Sequence, residues 1–257
     1  MRTIAGTFSH RAGVVGALAV LIALTAIGVA AAEKPVHVIA GELELTFNGG
    51  FKPKALSRTK PTPITFNISG DIKTKSGGHP PALQEFLLET DKNASIDVKG
   101  VPTCSAGKIE STTTHQAELA CPTAIIGSGQ ATAGIAFPEQ PDVAAKSKII
   151  AFNGGFSGGV TTLYIHAYIT VPVPSAIVST VKIKKIHKGP YGLLSVTTIP
   201  KIAGGSGSVT HFNLTISRHG VLTARCPNGK LVARGTALFS DGTKASAGVV
   251  RPCTPKP

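Results

Sequence analysis

The sequence predicts an all-β fold: an antiparallel β-sandwich, or a partly open barrel, with one short helix near the first cysteine pair. Three observations carry this expectation. The chain holds 29 Gly and 18 Pro but one Met and no Trp, a composition that favours many short strands and turns over long helices. Apolar residues alternate with period two in several segments, as in Leu43, Leu45 and Phe47. Turn dipeptides such as Asn228-Gly229 and Asp241-Gly242 punctuate those segments.

The chain begins with Arg2 and Arg11, then runs uncharged for the 21 residues from Ala12 to Ala32. Ala30-Ala31-Ala32 before Glu33 fits the small-residue pattern of signal-peptide cleavage, so residues 1–32 are predicted to be a secretory signal peptide. The alternative is an uncleaved membrane anchor, since the stretch is just long enough to span a bilayer. Residues 33–257 are predicted to form a single β-rich domain, secreted or otherwise extracytoplasmic. Its formal charge is +11, because Arg2 and Arg11 leave the chain's +13 with the signal. A basic exported protein favours anionic surroundings, such as a cell-wall polymer or a membrane surface.

Four cysteines, Cys104, Cys121, Cys226 and Cys253, imply disulfides in an exported chain. Of three pairings, the two local ones are expected, Cys104–Cys121 and Cys226–Cys253. If Asn228-Gly229 and Asp241-Gly242 both close full hairpins, Cys226 and Cys253 stand two strand spacings apart, roughly 9.6 Å. A disulfide does not reach that far. The second pairing therefore requires the middle strand to start late, with Cys253 folding over its beginning.

The elements follow in order. Glu42 to Phe47 reads as a half-buried strand, and Phe47-Asn48-Gly49-Gly50-Phe51 as its closing turn. Lys52 to Pro63 and Gly77 to Pro81 read as loops. Strands are expected over Ile64–Ile72, Leu83–Glu89 and Ser95–Lys99. Thr114 to Ala120 is the best helix, capped by a Thr and pinned to the sheet by the first disulfide. Gly129–Phe137 is a strand and Pro138–Lys146 a loop. A second Phe-Asn-Gly-Gly-Phe, Phe152 to Phe156, offers another turn because Gly tolerates positive φ. This repeat admits a second organisation, an internal duplication about residue 146. Strands are then expected over Ala176–Ile186, Gly192–Ile199 and Ser208–Ile216, and a meander closes the chain.

Val160 to Val171 is the strand the chain is built around. Leu163, Ile165, Ala167 and Ile169 share one face; Tyr164, His166, Tyr168 and Thr170 share the other. Neither face is charged, so the strand is expected to be central and covered on both sides until Pro172 and Pro174 end it. Tyr164, His166 and Tyr168 form either a binding platform or a second core layer, with their polar atoms bonded inside or at the rim. Lys182, Lys184 and Lys185 form either an anion-binding strip or an exposed or edge strand whose lysines deter sheet-to-sheet aggregation. Nucleic-acid binding is not expected, because no aromatic residues interleave with these lysines.

Gly41–Gly50 (GELELTFNGG), His79–Leu83 (HPPAL), Leu163–Tyr168 (LYIHAY), Ile199–Ser208 (IPKIAGGSGS) and Cys226–Leu231 (CPNGKL) resemble segments of a family of uncharacterised exported proteins from actinobacteria. The resemblance implies export and a shared fold. It carries no activity, substrate or catalytic residue.

The chemistry is sparse. No G-x-S-x-G, H-E-x-x-H, phosphate loop, dinucleotide glycine pattern or Ca²⁺ loop occurs, and no cofactor or metal is expected. Glu89 and Asp91 are the acidic pair closest to a glycosidase arrangement, placed about a turn. The expected function is therefore a non-catalytic binding or structural role at the cell envelope or outside the cell. The alternative is an extracellular hydrolase using His166. Amino-terminal sequencing of the exported protein should begin at or near Glu33; full-length protein recovered only in membranes contradicts cleavage.

Overall fold

The computed structural model describes residues 33–257, and the leading segment lies outside the described residues. The strands are β1 (Val36–Ala40), β2 (Leu43–Lys52), β3 (Ala55–Ser57), β4 (Thr62–Pro63), β5 (Thr65–Thr74), β6 (Leu83–Asp91), β7 (Ala94–Ile96), β8 (Ile125–Phe137) and β9 (Gln140–Ser157). They continue as β10 (Val160–Ile169), β11 (Ser175–Lys188), β12 (Tyr191–Thr198), β13 (Gly207–Ile216), β14 (Leu222–Ala224), β15 (Lys230–Phe239), β16 (Lys244–Pro252) and β17 (Thr254–Lys256). One helix, α1 (Thr114–Ala120), lies between the first two cysteines.

Among the described residues, twelve strands form one sheet in the order β1-β2-β5-β13-β8-β9-β10-β11-β12-β6-β15-β16, with antiparallel neighbours throughout. The sheet curls until β1 lies beside β16, giving a nearly closed barrel. Of the two predicted all-β forms, the partly open barrel is the one realised. A three-stranded piece, β4-β14-β7, and the parallel pair β17-β3 stand apart from the main sheet.

The alternation expected at the start is present: Leu43, Leu45 and Phe47 are buried, while Glu42 is exposed and Glu44 reaches Lys73 at 2.9 Å. Leu43, Leu45, Phe47, Phe86 and Phe239 fill one side of the barrel as a packed core. At opposite ends of β10, Leu163 joins a cluster with Val98 and Val221, and Ile169 joins one with Ile135 and Ile202. These clusters close the two ends of the other side.

Both Phe-Asn-Gly-Gly-Phe copies are strand, not turn. In β2 the glycines leave room for side chains lying across the strand: a Cβ on Gly50 would stand 3.0 Å from the Glu33 carboxylate. Glu33 in turn pairs with Arg251, whose guanidinium bonds the Gly49 carbonyl and Asn48. In β9, Gly154 is the extra residue of a bulge opposite Thr162 and Leu163, and Gly155 has φ 103°. The chain turns three residues later, at Gly158 and Gly159, both with positive φ. The two copies thus do different work. Strands from either side of residue 146 also interleave, with β13 between β5 and β8 and β6 between β12 and β15.

Other expectations need correction. Residues 138–146 are not a loop, since the β8–β9 turn takes only Pro138 and Glu139, the latter at φ 58°. The Lys52–Pro63 stretch holds two short strands, β3 and β4. The C-terminal part is not a meander. Asp241-Gly242 does join β15 to β16, but β14 pairs with β4 and β7, so Asn228-Gly229 closes no hairpin. With β14 drawn away, Cys226 is free to approach Cys253, and their Cα atoms stand 6.1 Å apart.

The first disulfide, with Cα atoms 5.7 Å apart, closes the cap that carries α1. Thr113 caps that helix reciprocally: its hydroxyl accepts from Gln116 N at 3.2 Å, and its own N–H donates to Gln116 Oε1 at 2.9 Å. Buried Ile109 and Ala117 seat the cap on Ile150 and Phe152 of β9. Asn153, fully buried, fastens the approach to the cap. Its amide donates to the Val101 and Pro102 carbonyls at 2.9 and 3.2 Å, and its carbonyl oxygen Oδ1 accepts from Gly155 N at 2.9 Å.

Asn153→Ala removes a buried amide from the part-buried Val101 and Pro102 carbonyls and the Gly155 N–H and should lower unfolding free energy in urea by about 1–3 kcal/mol. Asn48→Ala, at a half-buried site, should cost less. Equal losses at the two repeats contradict their separate roles.

Candidate functional site

The two faces of β10 define two different places. Its inner row, Leu163, Ile165, Ala167 and Ile169, faces the barrel interior, as the period-two pattern predicts. Small side chains stand inward on neighbouring strands: Ala133 of β8, Ala145, Ser147 and Ala151 of β9, and Ser179 of β11. A twelve-stranded wall encloses more space than such residues fill. The result is a cavity of about 260 Å³, and no charged side chain lines it. A second space of about 90 Å³ shares the Phe66, Ile68, Phe86 and Leu88 wall with it. The cavity was not foreseen from the sequence. Its signal is the run Ala145, Ser147, Ile149, Ala151, four consecutive inward positions of which three are small.

An apolar interior and charged outer positions reverse the pattern of a membrane-spanning barrel, whose outer band is apolar and whose interior is polar. Among the described residues no helix is long and apolar enough to cross a membrane. The two closed disulfides fit an oxidising, extracytoplasmic compartment.

The outer row of β10 holds Tyr164, His166 and Tyr168. His166 is fully buried beneath the α1 cap, and the two tyrosines flanking it are half-buried. Tyr164 packs with Ile150, Phe152 and the cap residues. This face is thus a second packed layer at its centre. His166 Nε2 lies 3.0 Å from the Thr112 carbonyl. A carbonyl only accepts, so Nε2 carries the proton and Nδ1 is the bare acceptor. Nδ1 is buried with no partner. Burial pushes the His166 pKa below the ordinary imidazole value, against the opposing pull of the Thr112 and Ile109 carbonyls. No carboxylate or hydroxyl hydrogen-bonds His166 among the described residues.

Lys182, Lys184 and Lys185 are exposed on β11, but β11 is not an edge: β10 pairs with its Ser175–Lys184 part and β12 with its Thr180–Lys188 part. Of the expected exposed or edge strand, the exposure is present and the edge is not. Phe156, 59% exposed, lies at the same end, one residue before the partner of Val160, which itself pairs with Lys184. Glu89 and Asp91 lie along β6 and not about a turn, and both are engaged. Glu89 pairs with Arg234 and with Lys188 at 3.3 Å. Burial works to raise the Glu89 carboxyl, but Arg234 and Lys188 outweigh it and hold it below the usual range. Asp91 accepts from Asn93 N at 2.9 Å and from Val232 N at 3.1 Å. The four cysteines sit in their two bridges, as expected.

Comparisons with protein-family models and with curated proteins returned no match.

A neutral buried imidazole links the cap to pH. The unfolded chain takes up a proton near pH 6.5, whereas the folded chain does so only at lower pH. Stability from this group is full above about 6.5 and is lost as pH falls toward the folded value. Thermal melts should therefore fall less steeply between pH 7 and pH 5 in His166→Leu than in the wild type (pH values about those of the unperturbed imidazole). Identical slopes contradict the assignment.

Proposed function

We propose that the protein is an exported, non-catalytic binding protein of the cell envelope that carries an apolar small molecule inside its barrel. The single observation that supports this reading is the cavity of about 260 Å³ whose walls hold no charged side chain. Small-molecule sites are usually concave, largely apolar spaces of roughly 300–1,000 Å³, and this cavity lies just under that range. Spaces of this kind in larger barrels hold ligands. A sheet evolved only for rigidity gains nothing from alanine and serine at inward positions, because each missing side chain forfeits packing.

The same reading gives Lys182 and Lys184 on the outer face, with Lys185 at the adjoining rim, a role as an anion-facing cluster at this end of the barrel. They are exposed, like-charged and flanked by exposed Phe156. Such a cluster holds the protein against wall polymer or acidic lipid while the interior takes its ligand. A hydrolase at His166 lacks comparable support, since the ring is buried beneath the cap and bonds a backbone carbonyl.

The mature chain should bind a neutral fluorescent apolar probe, such as N-phenyl-1-naphthylamine, in a saturable one-to-one manner. Ala167→Phe places a ring in the middle of the inward row of β10 and should abolish that binding while the fold persists by circular dichroism. Lys182→Glu, Lys184→Glu and Lys185→Glu together should leave probe binding intact and remove retention on anionic vesicles at low salt. Unchanged probe affinity in Ala167→Phe contradicts an internal site.

A further inference from the structure

We propose that the cavity selects an uncharged ligand carrying one hydroxyl-like or carbonyl-like group on an apolar body, and rejects free carboxylic acids. This rests on the reading of the cavity as a ligand site. Among its polar wall atoms, several are already engaged. The Ser147 hydroxyl donates to the Lys148 carbonyl at 2.9 Å and accepts from Tyr168 N at 2.9 Å. Ser95 and Thr223 bond each other at 2.7 Å. Ser179, Ser195 and Thr197 also line the cavity, as do Thr90 and Thr132, and the hydroxyls of all five make no hydrogen bond among the described residues.

Ser179, Ser195 and Thr197 share one patch of wall. Thr197 of β12 stands opposite Val181 of β11, which places Ser179 diagonal to it, and Ser195 is the next inward residue on β12. Diagonal and same-strand inward neighbours lie about 7–8 Å apart, close enough for one polar group to meet two hydroxyls. Ser179 is only 9% exposed, and what remains accessible faces the cavity. These hydroxyls open onto the cavity with no protein partner, so on an otherwise apolar wall they are a recognition element for a polar group brought by the ligand.

The charge of that group follows from what is missing. No Lys, Arg or His lines the larger cavity. Arg251 borders the smaller space, but its guanidinium is taken by the Gly49 carbonyl, Asn48 and the Glu33 carboxylate. An ionised carboxylate would enter unpaired, at a cost far beyond what two hydroxyls return.

The test displaces N-phenyl-1-naphthylamine from the mature protein with 1-decanol, decane and decanoate at pH 8. Decanoate should bind about 100-fold or more weaker than 1-decanol. Ser179→Ala with Thr197→Val, nearly isosteric changes, should weaken 1-decanol by about 5- to 100-fold and leave decane within about twofold. Each single variant should give part of that loss, and circular dichroism confirms that the fold persists. Decanoate binding as tightly as 1-decanol overturns the proposal, as does a double variant with undiminished affinity for 1-decanol. If none of the three displaces the reporter, or the reporter itself does not bind, the cavity reading fails first and takes this inference with it.

Discussion

A sheet of twelve antiparallel strands that curls onto itself has a circumference its own side chains must fill or leave empty. Here one side is filled, by Leu45, Phe47, Phe86 and Phe239. On the other, Ala133, Ala145, Ser147 and Ala151 stand among larger apolar residues such as Ile149 and Ile165, and their short side chains leave a space of about 260 Å³. That mismatch between wall length and side-chain length governs the remaining architecture. The ends need closing, which the Val98/Val221 and Ile202 clusters do. The outer face of the thinly supported strands needs backing, which the disulfide-closed cap provides by burying Ile109 and Ala117 against β9 and β10.

The cap shows how local chemistry holds a wall that lacks a core behind it. A seven-residue helix is too short to persist on its own, so it depends on its reciprocal Thr113–Gln116 cap, the Cys104–Cys121 bridge and the Lys148–Glu118 contact at 2.6 Å. Asn153 links this cap to the bulge in β9 through bonds to loop carbonyls on one side and Gly155 N on the other. His166 lies beneath, neutral and with one bare nitrogen, the single buried side-chain polar atom among the described residues that no group satisfies. Its imperfect pairing sets a limit on how tightly the cap is held as acidity rises.

Much of this was legible in the sequence, for physical reasons. Period-two alternation in Leu43, Leu45 and Phe47 fixes which side of a strand is buried, and the Tyr164/His166/Tyr168 face separates from Leu163/Ile165/Ile169 by the same rule. A Thr cap marks the helix start, while its return bond from Gln116 emerges only in the structure. What stayed hidden depends on distant partners. Asn-Gly-Gly permits a turn, but in β2 Gly50 makes room for Glu33 and Gly49 offers its carbonyl to Arg251, 202 residues away, and in β9 Gly154 forms a bulge. The Asn228-Gly229 hairpin failed because β14 finds better partners in β4 and β7. The lysine strip resembled an edge because its neighbours in the sheet cannot be read from β11 alone. The cavity is the deepest case, since an alanine at an inward position looks like core until the strand count is known.

The central claim is that the barrel interior is an open apolar chamber and not a collapsed core. Crystals of the mature protein under xenon pressure test it directly, because dry apolar cavities take up xenon. Xenon density should appear between the inward rows of β8 to β12, beside Ile165, Ala167 and Ile177. A map with those side chains in mutual contact across the barrel and no bound xenon would contradict the account.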